Sequence, residues 1–280
     1  MKSWTTVVVA GLVLGAASAA AGQEPLALYE DWRSSRTIRL DRWRGQETGV
    51  LDIKREIRGN TFEMRTRREG GSASDAGLLF ARHRLTFTHP LTISAVEATL
   101  DVRDLELLSC ATNPIAAGTS VAIFLNKFND GSGGPGNMTG DYLVNVNAAR
   151  NTSSLDPDGV LRLHGGILRC NDATCSNAVS IPGGLVDLPA TALVGDRFSL
   201  RVAWDPTNSR FLVGAGNGAD VPIPYPPKAN QQPAGGPFAD IRTQLVAPNC
   251  TSSTTVADIT LRVHDVKTNA SAIVPEGEMP

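Results

Sequence analysis

This 280-residue sequence is short of the features that mark most function classes. Aromatic residues are only 5% of it, too few for the exposed Trp and Tyr platform on which sugar rings usually stack. The formal net charge of -2 leaves no excess of basic residues, so neither nucleic acid nor an anionic membrane is an expected partner, and polyanion binding is not expected as the main role. Long apolar runs are missing as well: Val7 to Leu14 is one short stretch, against the about 20 apolar residues of a membrane-crossing helix. Gly131-Ser-Gly-Gly-Pro-Gly136 is not followed by the Lys-Ser/Thr of a phosphate-binding loop. No cofactor is expected. The four cysteines lack a second close pair or a nearby His pair, so no metal site is expected from them either.

What is present begins with an export signal. Lys2 precedes the Val7 to Leu14 run, which gives way to Ala16-Ala17-Ser18-Ala19-Ala20-Ala21-Gly22, the small-residue pattern of a cleavage site. Residues 1–21 are therefore read as a signal peptide and 22–280 as one domain, secreted or periplasmic and free of the membrane once cleaved. No Cys follows the apolar run, which excludes a lipoprotein anchor. The preference for Arg over Lys is what a GC-rich bacterial genome would encode. In an oxidising compartment an even number of cysteines should pair, and four permit three connectivities. Cys170 and Cys175 enclose the polar Asn171-Asp-Ala-Thr174, so a local bridge is the simplest pairing, leaving Cys110 and Cys250 as a long-range staple.

Gly and Pro are scattered between short apolar runs, and period-two alternation recurs along nearly the whole chain, whereas no stretch sustains the 3.6-residue spacing of an amphipathic helix. Leu51 to Ile57 and Thr61 to Arg67 alternate on either side of Gly59-Asn60, which supplies the positive φ angles of a tight hairpin. Further strands are read at Ser94 to Arg103, Ser120 to Phe128, Tyr142 to Ala148, Val160 to Leu168, Arg197 to Trp204, Ser209 to Gly214, Ile241 to Val246 and Thr255 to Val266. With two or three near the N-terminus they make about a dozen. Some, such as Ser120-Val-Ala-Ile-Phe-Leu125, are apolar on both faces and need cover on both; others have one polar face. An all-β, two-sheet jelly-roll sandwich of about 12 strands accommodates both kinds. Val221-Pro-Ile-Pro-Tyr-Pro-Pro227 reads as an irregular or extended loop, with Tyr225 a candidate exposed ring, as is Tyr142; Trp32, Trp43 and Trp204 read as structural.

Gly195-Asp-Arg-Phe-Ser-Leu-Arg-Val-Ala-Trp-Asp-Pro-Thr-Asn-Ser-Arg-Phe-Leu-Val213 is a strand ending in Trp204, a polar turn and a returning strand opened by Arg210-Phe211. It resembles the hairpin of concanavalin A-like lectin and glucanase domains. Tyr29-Glu-Asp-Trp32 followed by Ile38-Arg-Leu-Asp-Arg-Trp43 is similar to the opening strands of that superfamily. The resemblance implies a fold rather than an activity, since the superfamily holds lectins, hydrolases, lyases and modules without a ligand.

Glycoside hydrolysis on this architecture needs two carboxylates on one face. The retaining glucanases of the superfamily place Glu, Asp and Glu at alternate positions of one strand, and no such run occurs here. Asp104 and Glu106 alternate, with Asp101 out of phase, and are read as a charged strand edge. Asp52, Lys54 and Glu56 opposite Glu63, Arg65 and Arg67 are read as a solvated salt-bridge ladder. The oxygen-rich loops Asn126 to Gly131 and Asp156 to Gly159 are read as turn chemistry rather than calcium loops. Among the histidines, His164 stands out: it shares a strand face with Arg162, and Asn145 and Asn147 alternate on the preceding strand. Together these four are the candidate ligand-binding residues, suited to hydrogen-bonding a sugar. The expected function is non-enzymatic carbohydrate or cell-surface binding, with a glycan as partner. A divergent polysaccharide hydrolase or lyase, and a structural module without a small ligand, are the alternatives.

Overall fold

The computed structural model describes residues 24–33, 36–49, 52–226 and 232–273. Residues 1–21, expected to be a signal peptide, and Leu51 lie outside them. Fifteen strands and a single 3-10 turn make up the regular structure of the described residues. In chain order the strands are β1 (Leu26–Glu30), β2 (Trp43–Thr48), β3 (Asp52–Arg58), β4 (Thr61–Glu69), β5 (Leu78–Phe87), β6 (Ala95–Leu108), β7 (Gly118–Asn129) and β8 (Asp141–Asn151). They continue as β9 (Val160–Cys170), β10 (Ala178–Leu193), β11 (Arg197–Asp205), β12 (Arg210–Ala215), β13 (Val221–Pro224), β14 (Phe238–Pro248) and β15 (Val256–Asn269).

Two antiparallel sheets pack face to face. The first, sheet A, has the order β13-β12-β11-β6-β15-β4-β3, with β1 added to β15; the second, sheet B, has the order β10-β9-β8-β7-β14-β5-β2. This is the two-sheet jelly-roll sandwich expected from the alternation. Each sheet turns one set of alternate residues inward: Val96, Ala98, Leu100 and Val102 of β6 meet Val121, Ile123 and Leu125 of β7 in one buried cluster. Burying a side chain of this size contributes about 1.5–3 kcal/mol relative to leaving it in water. Two aromatic groups close the sandwich. Tyr29, Trp32, Trp43, Phe62 and Phe87 interlock at centroid distances of 4.4–5.7 Å, which fixes Trp32 and Trp43 as core residues. Phe128 stacks on Tyr142 and packs against Tyr225, both at 4.6 Å.

Several strands follow the sequence closely. Gly59 and Asn60 adopt φ of 57° and 63°, joining β3 to β4 as the hairpin requires. β11 and β12 pair Trp204 with Phe211, and the Asp205 carboxylate holds the intervening turn by accepting from Asn208 and from Arg210 Nε at 2.8 Å. The sequence misses β5 and β10, and it misreads the proline-rich stretch. Val221–Pro224 is a strand, and Pro222 and Pro224 are tolerated because it lies at the edge of sheet A. β10 is likewise an edge strand, whose ladder shifts register between Ser180 and Leu185 and between Asp187 and Thr191, around Pro182 and Pro189. Tyr142 and Tyr225 are both buried rather than exposed, and the Tyr225 hydroxyl accepts from Trp204 Nε1 at 2.9 Å.

The structure joins Cys110 to Cys250 and Cys170 to Cys175. Cys110 follows β6 of sheet A and Cys250 follows β14 of sheet B, so the long bridge ties the two sheets together. The short one closes the β9–β10 turn, where the Asp172 carboxylate gathers the backbone N–H groups of Thr174, Ser176 and Asn177. Those bonds favour the ionised carboxylate and hold Asp172 well below the usual range despite the opposing cost of burial.

Candidate functional site

Cross-strand pairing brings Asn145, Asn147, Arg162 and His164 onto one surface, the outward face of sheet B. Asn147 lies directly opposite His164, Asn145 opposite Gly166, and Ala149 opposite Arg162. The Asn147 amide donates to Asn145 Oδ1 at 2.8 Å, which orients both amides. His164 Nδ1 lies 2.8 Å from an Asp187 carboxylate oxygen on β10. Arg162 grips Asp156 with two hydrogen bonds of 2.5 and 2.6 Å, so its guanidinium is already neutralised. Arg162 and His164, with Ser120 of β7 and Gln244 of β14, line a cleft of about 560 Å³.

The oxygen-rich loops beside this face are built from turn chemistry. Asp130 is fully engaged by Arg169 and Ser132, and these hydrogen bonds outweigh desolvation to hold its carboxyl down at about 2. Asp141 accepts from Asn126, Asn129 and the backbone of Ala234 and Gly235. Among the described residues the one group of potential metal ligands is Asp75 with Cys110 and Cys250, whose sulfurs are bonded to each other and offer no thiolate.

Sequence reasoning missed the other half of the same face. On β5, Phe80, Arg82, Arg84 and Thr86 point outward while Ala81, His83, Leu85 and Phe87 point into the sandwich. Arg84 lies opposite Arg242 of β14 and Arg82 opposite Gln244, while Asp240 lies opposite Phe124 of β7. Arg242 takes both oxygens of Asp240 at 2.5 Å and rests its guanidinium 3.8 Å from the centroid of the Phe124 ring. That contact gives the outward side of β7, a strand apolar on both faces, the cover it needs, a flat cation on an aromatic. The signal was legible as alternation of Arg82 and Arg84 with Ala81, His83 and Leu85; the partner strand was not.

The outward face of sheet A has a different character. β6 gains an extra residue at Arg103, since Thr260 opposes Asp104 and Leu261 opposes Val102. This bulge shifts the strand's phase, so Asp101, Asp104 and Glu106 all face outward, correcting the out-of-phase reading of Asp101. None is set up as an acid pair: Asp101 holds His264 at 2.6 Å, and Glu106 lies 3.7 Å from Arg67. The β3–β4 hairpin is a salt-bridge ladder, but its main counter-charges come from β15, where Asp258 takes Arg65 and Arg67 and Arg262 takes Glu63.

Two antiparallel sheets in jelly-roll order, with a cleft on the outer side of one, make a β-sandwich with a candidate binding face. Several solved structures are similar to this chain in fold. They include the catalytic domain of an endo-1,3-β-glucanase (laminarinase) from Thermotoga petrophila, at 12% identity and a TM-score of 0.49 over 89% of this chain and 100% of that one. A laminarinase from a Flavobacterium species matches at 8% identity and 0.43 over 86% and 100%. A carbohydrate-binding module from Bacillus subtilis matches at 12% identity and 0.38 over 80% and 94%. No protein-family model matches the chain, and no curated protein matches it by sequence. Likeness at this level is one of fold and carries no argument about activity.

Proposed function

We propose that this is an exported protein that binds carbohydrate or a glycan-bearing cell surface through the outward face of sheet B, without acting on it as an enzyme. The observation that carries this reading is the convergence of Asn145, Asn147 and His164 beside a cleft of about 560 Å³. Amides and an imidazole offer the mixed donors and acceptors that sugar hydroxyls need. Of the carboxylates of that neighbourhood, Asp156 and Asp240 each hold an arginine and Asp187 meets His164, so none stands free as a paired acid. Two disulfides and a signal-like N-terminus support an oxidising, extracytoplasmic location, with residues 1–21 removed on export.

A second reading, a divergent lyase, draws on the His164–Asp187 contact beside Arg162, because a histidine oriented by a carboxylate is a competent base. Both are tested by exposing the oxidised protein to a broad polysaccharide panel and scoring retention together with reducing-end or unsaturated product. Retention without product is the expected result. Unsaturated product that disappears in His164→Ala establishes the lyase instead. Silence on every glycan leaves a structural module.

A further inference from the structure

The near-neutral net charge hides a local imbalance. On the β5–β14 half of the sheet B face three guanidiniums, Arg82, Arg84 and Arg242, share one carboxylate, Asp240, and Arg242 already occupies both of its oxygens. Arg82 and Arg84 have no acidic partner among the described residues, and the Nε atoms of both are buried without a hydrogen-bond acceptor, as is Thr86 Oγ1 at the next outward position. Arg84 stands directly across the ladder from Arg242, a like-charged pairing that disfavours the folded state. Burial and the repulsion of Arg242 and Arg84 push Arg82 down to about 10. Desolvated donors without acceptors cost free energy unless a ligand completes them, and a planar fork of N–H groups fits carboxylate or sulfate oxygens two at a time.

The same rows run on to the first cluster. Crossing β5, β14, β7, β8 and β9 in register, Arg84, Arg242, Ala122, Asn147 and His164 lie on one line across the face. Four strand spacings separate Arg84 from His164, roughly 19 Å, enough for several linked sugars. We propose that this face selects an acidic polysaccharide, whose carboxylate or sulfate groups are taken by Arg82 and Arg84, while Asn145, Asn147 and His164 hold neighbouring sugar hydroxyls. This rests on the carbohydrate-binding reading and names the substrate class of that site.

The test is a binding titration of the oxidised protein in about 0.15 M salt, where exposed charges are well screened. The probes are polygalacturonate for carboxylate, dextran sulfate for sulfate, laminarin as a neutral glycan and polyphosphate as an anion without sugar. One or both acidic glycans should bind at least about ten-fold more tightly than laminarin and polyphosphate, and the stronger of the two identifies the anionic group. The Arg82→Gln/Arg84→Gln double variant should lose about ten-fold or more of that affinity while its hold on laminarin changes less than about two-fold. Should the double variant melt early, Arg82→Gln alone is read the same way. Equal binding of acidic and neutral glycans overturns this inference but leaves the carbohydrate reading standing. Polyphosphate binding as tight as that of the acidic glycans also overturns it, because the face then attracts any polyanion. Failure of every glycan overturns both.

Discussion

The outer faces of the two sheets use charge in opposite ways. On sheet A nearly every cation has an acid within reach: Arg65 and Arg67 meet Asp258, Arg262 meets Glu63, Lys267 meets Glu97 and Arg201 meets Asp220. On the β5–β14 half of sheet B, three arginines crowd about Asp240 and two are left without an acid among the described residues. A compensated lattice of charge has little left to offer a ligand, whereas an uncompensated one stores binding capacity at a cost in stability. The second face is therefore the one to examine for function, even though the first carries more acidic residues of the kind a glycosidase uses.

The largest effect expected on this comparison comes from the bridge that joins the two sheets. Cys110 and Cys250 are 140 residues apart in sequence and Cys170 and Cys175 only 5. In the chain-entropy model, replacing the first pair by serine should cost about 5 kcal/mol and the second about 2 kcal/mol. Denaturant melts of the two double variants check this; equal losses would mean that the sheets are held together without the staple.

Acid sharpens the comparison by acting between the faces. His83 of β5 is fully buried, accepts from Arg55 Nε at its Nε2 and lies 3.2 Å from Thr66 Oγ1 through Nδ1. Burial first, and the Arg55 charge second, push its pKa down from 6.5 to about 4. The folded state thus resists a proton that the unfolded chain accepts. The resulting stability is complete above about pH 6.5 and is lost as pH falls through about 4, in all about 3 kcal/mol. Stability measured across that window should slope in the wild type and flatten in His83→Gln; a slope retained by the variant would assign it to the outer carboxylates instead.

The smallest effect separates the faces most directly. Arg65→Gln leaves Asp258 short of its main partner and should cost about 1–2 kcal/mol. Arg84→Gln removes a cation that faces another cation, and should leave stability within about 0.5 kcal/mol of the wild type or raise it. Thermal melts of the two variants side by side suffice, and equal losses would erase the distinction between the faces.

Much of the fold was legible because its causes are local. The Gly59-Asn60 turn, the Trp204 hairpin and the inward set on β6 each follow from residue chemistry within a few positions. β10 and Val221–Pro224 were harder to read, since prolines normally argue against strands and only an edge position makes them acceptable. Tyr142 and Tyr225 were misread for a related reason: their burial depends on Phe128 and Trp204, which come from other strands. The candidate site was legible by half. Asn145, Asn147, Arg162 and His164 lie on consecutive strands that pair with each other. Arg82, Arg84 and Arg242 do not, because β5 and β14 are far apart in the chain.

The sequence by itself determined that this is a β protein, that its strands bury one alternate set of side chains, and that its cysteines are available to bridge. Alternation, turn residues and cysteine number are properties of short segments, and they survive any arrangement of those segments. Which charges end up compensated was decided only by the tertiary structure. A salt bridge between Arg65 and Asp258, or a confrontation of Arg84 with Arg242, depends on strand order and register, and a shift of one residue would send each side chain to the opposite face.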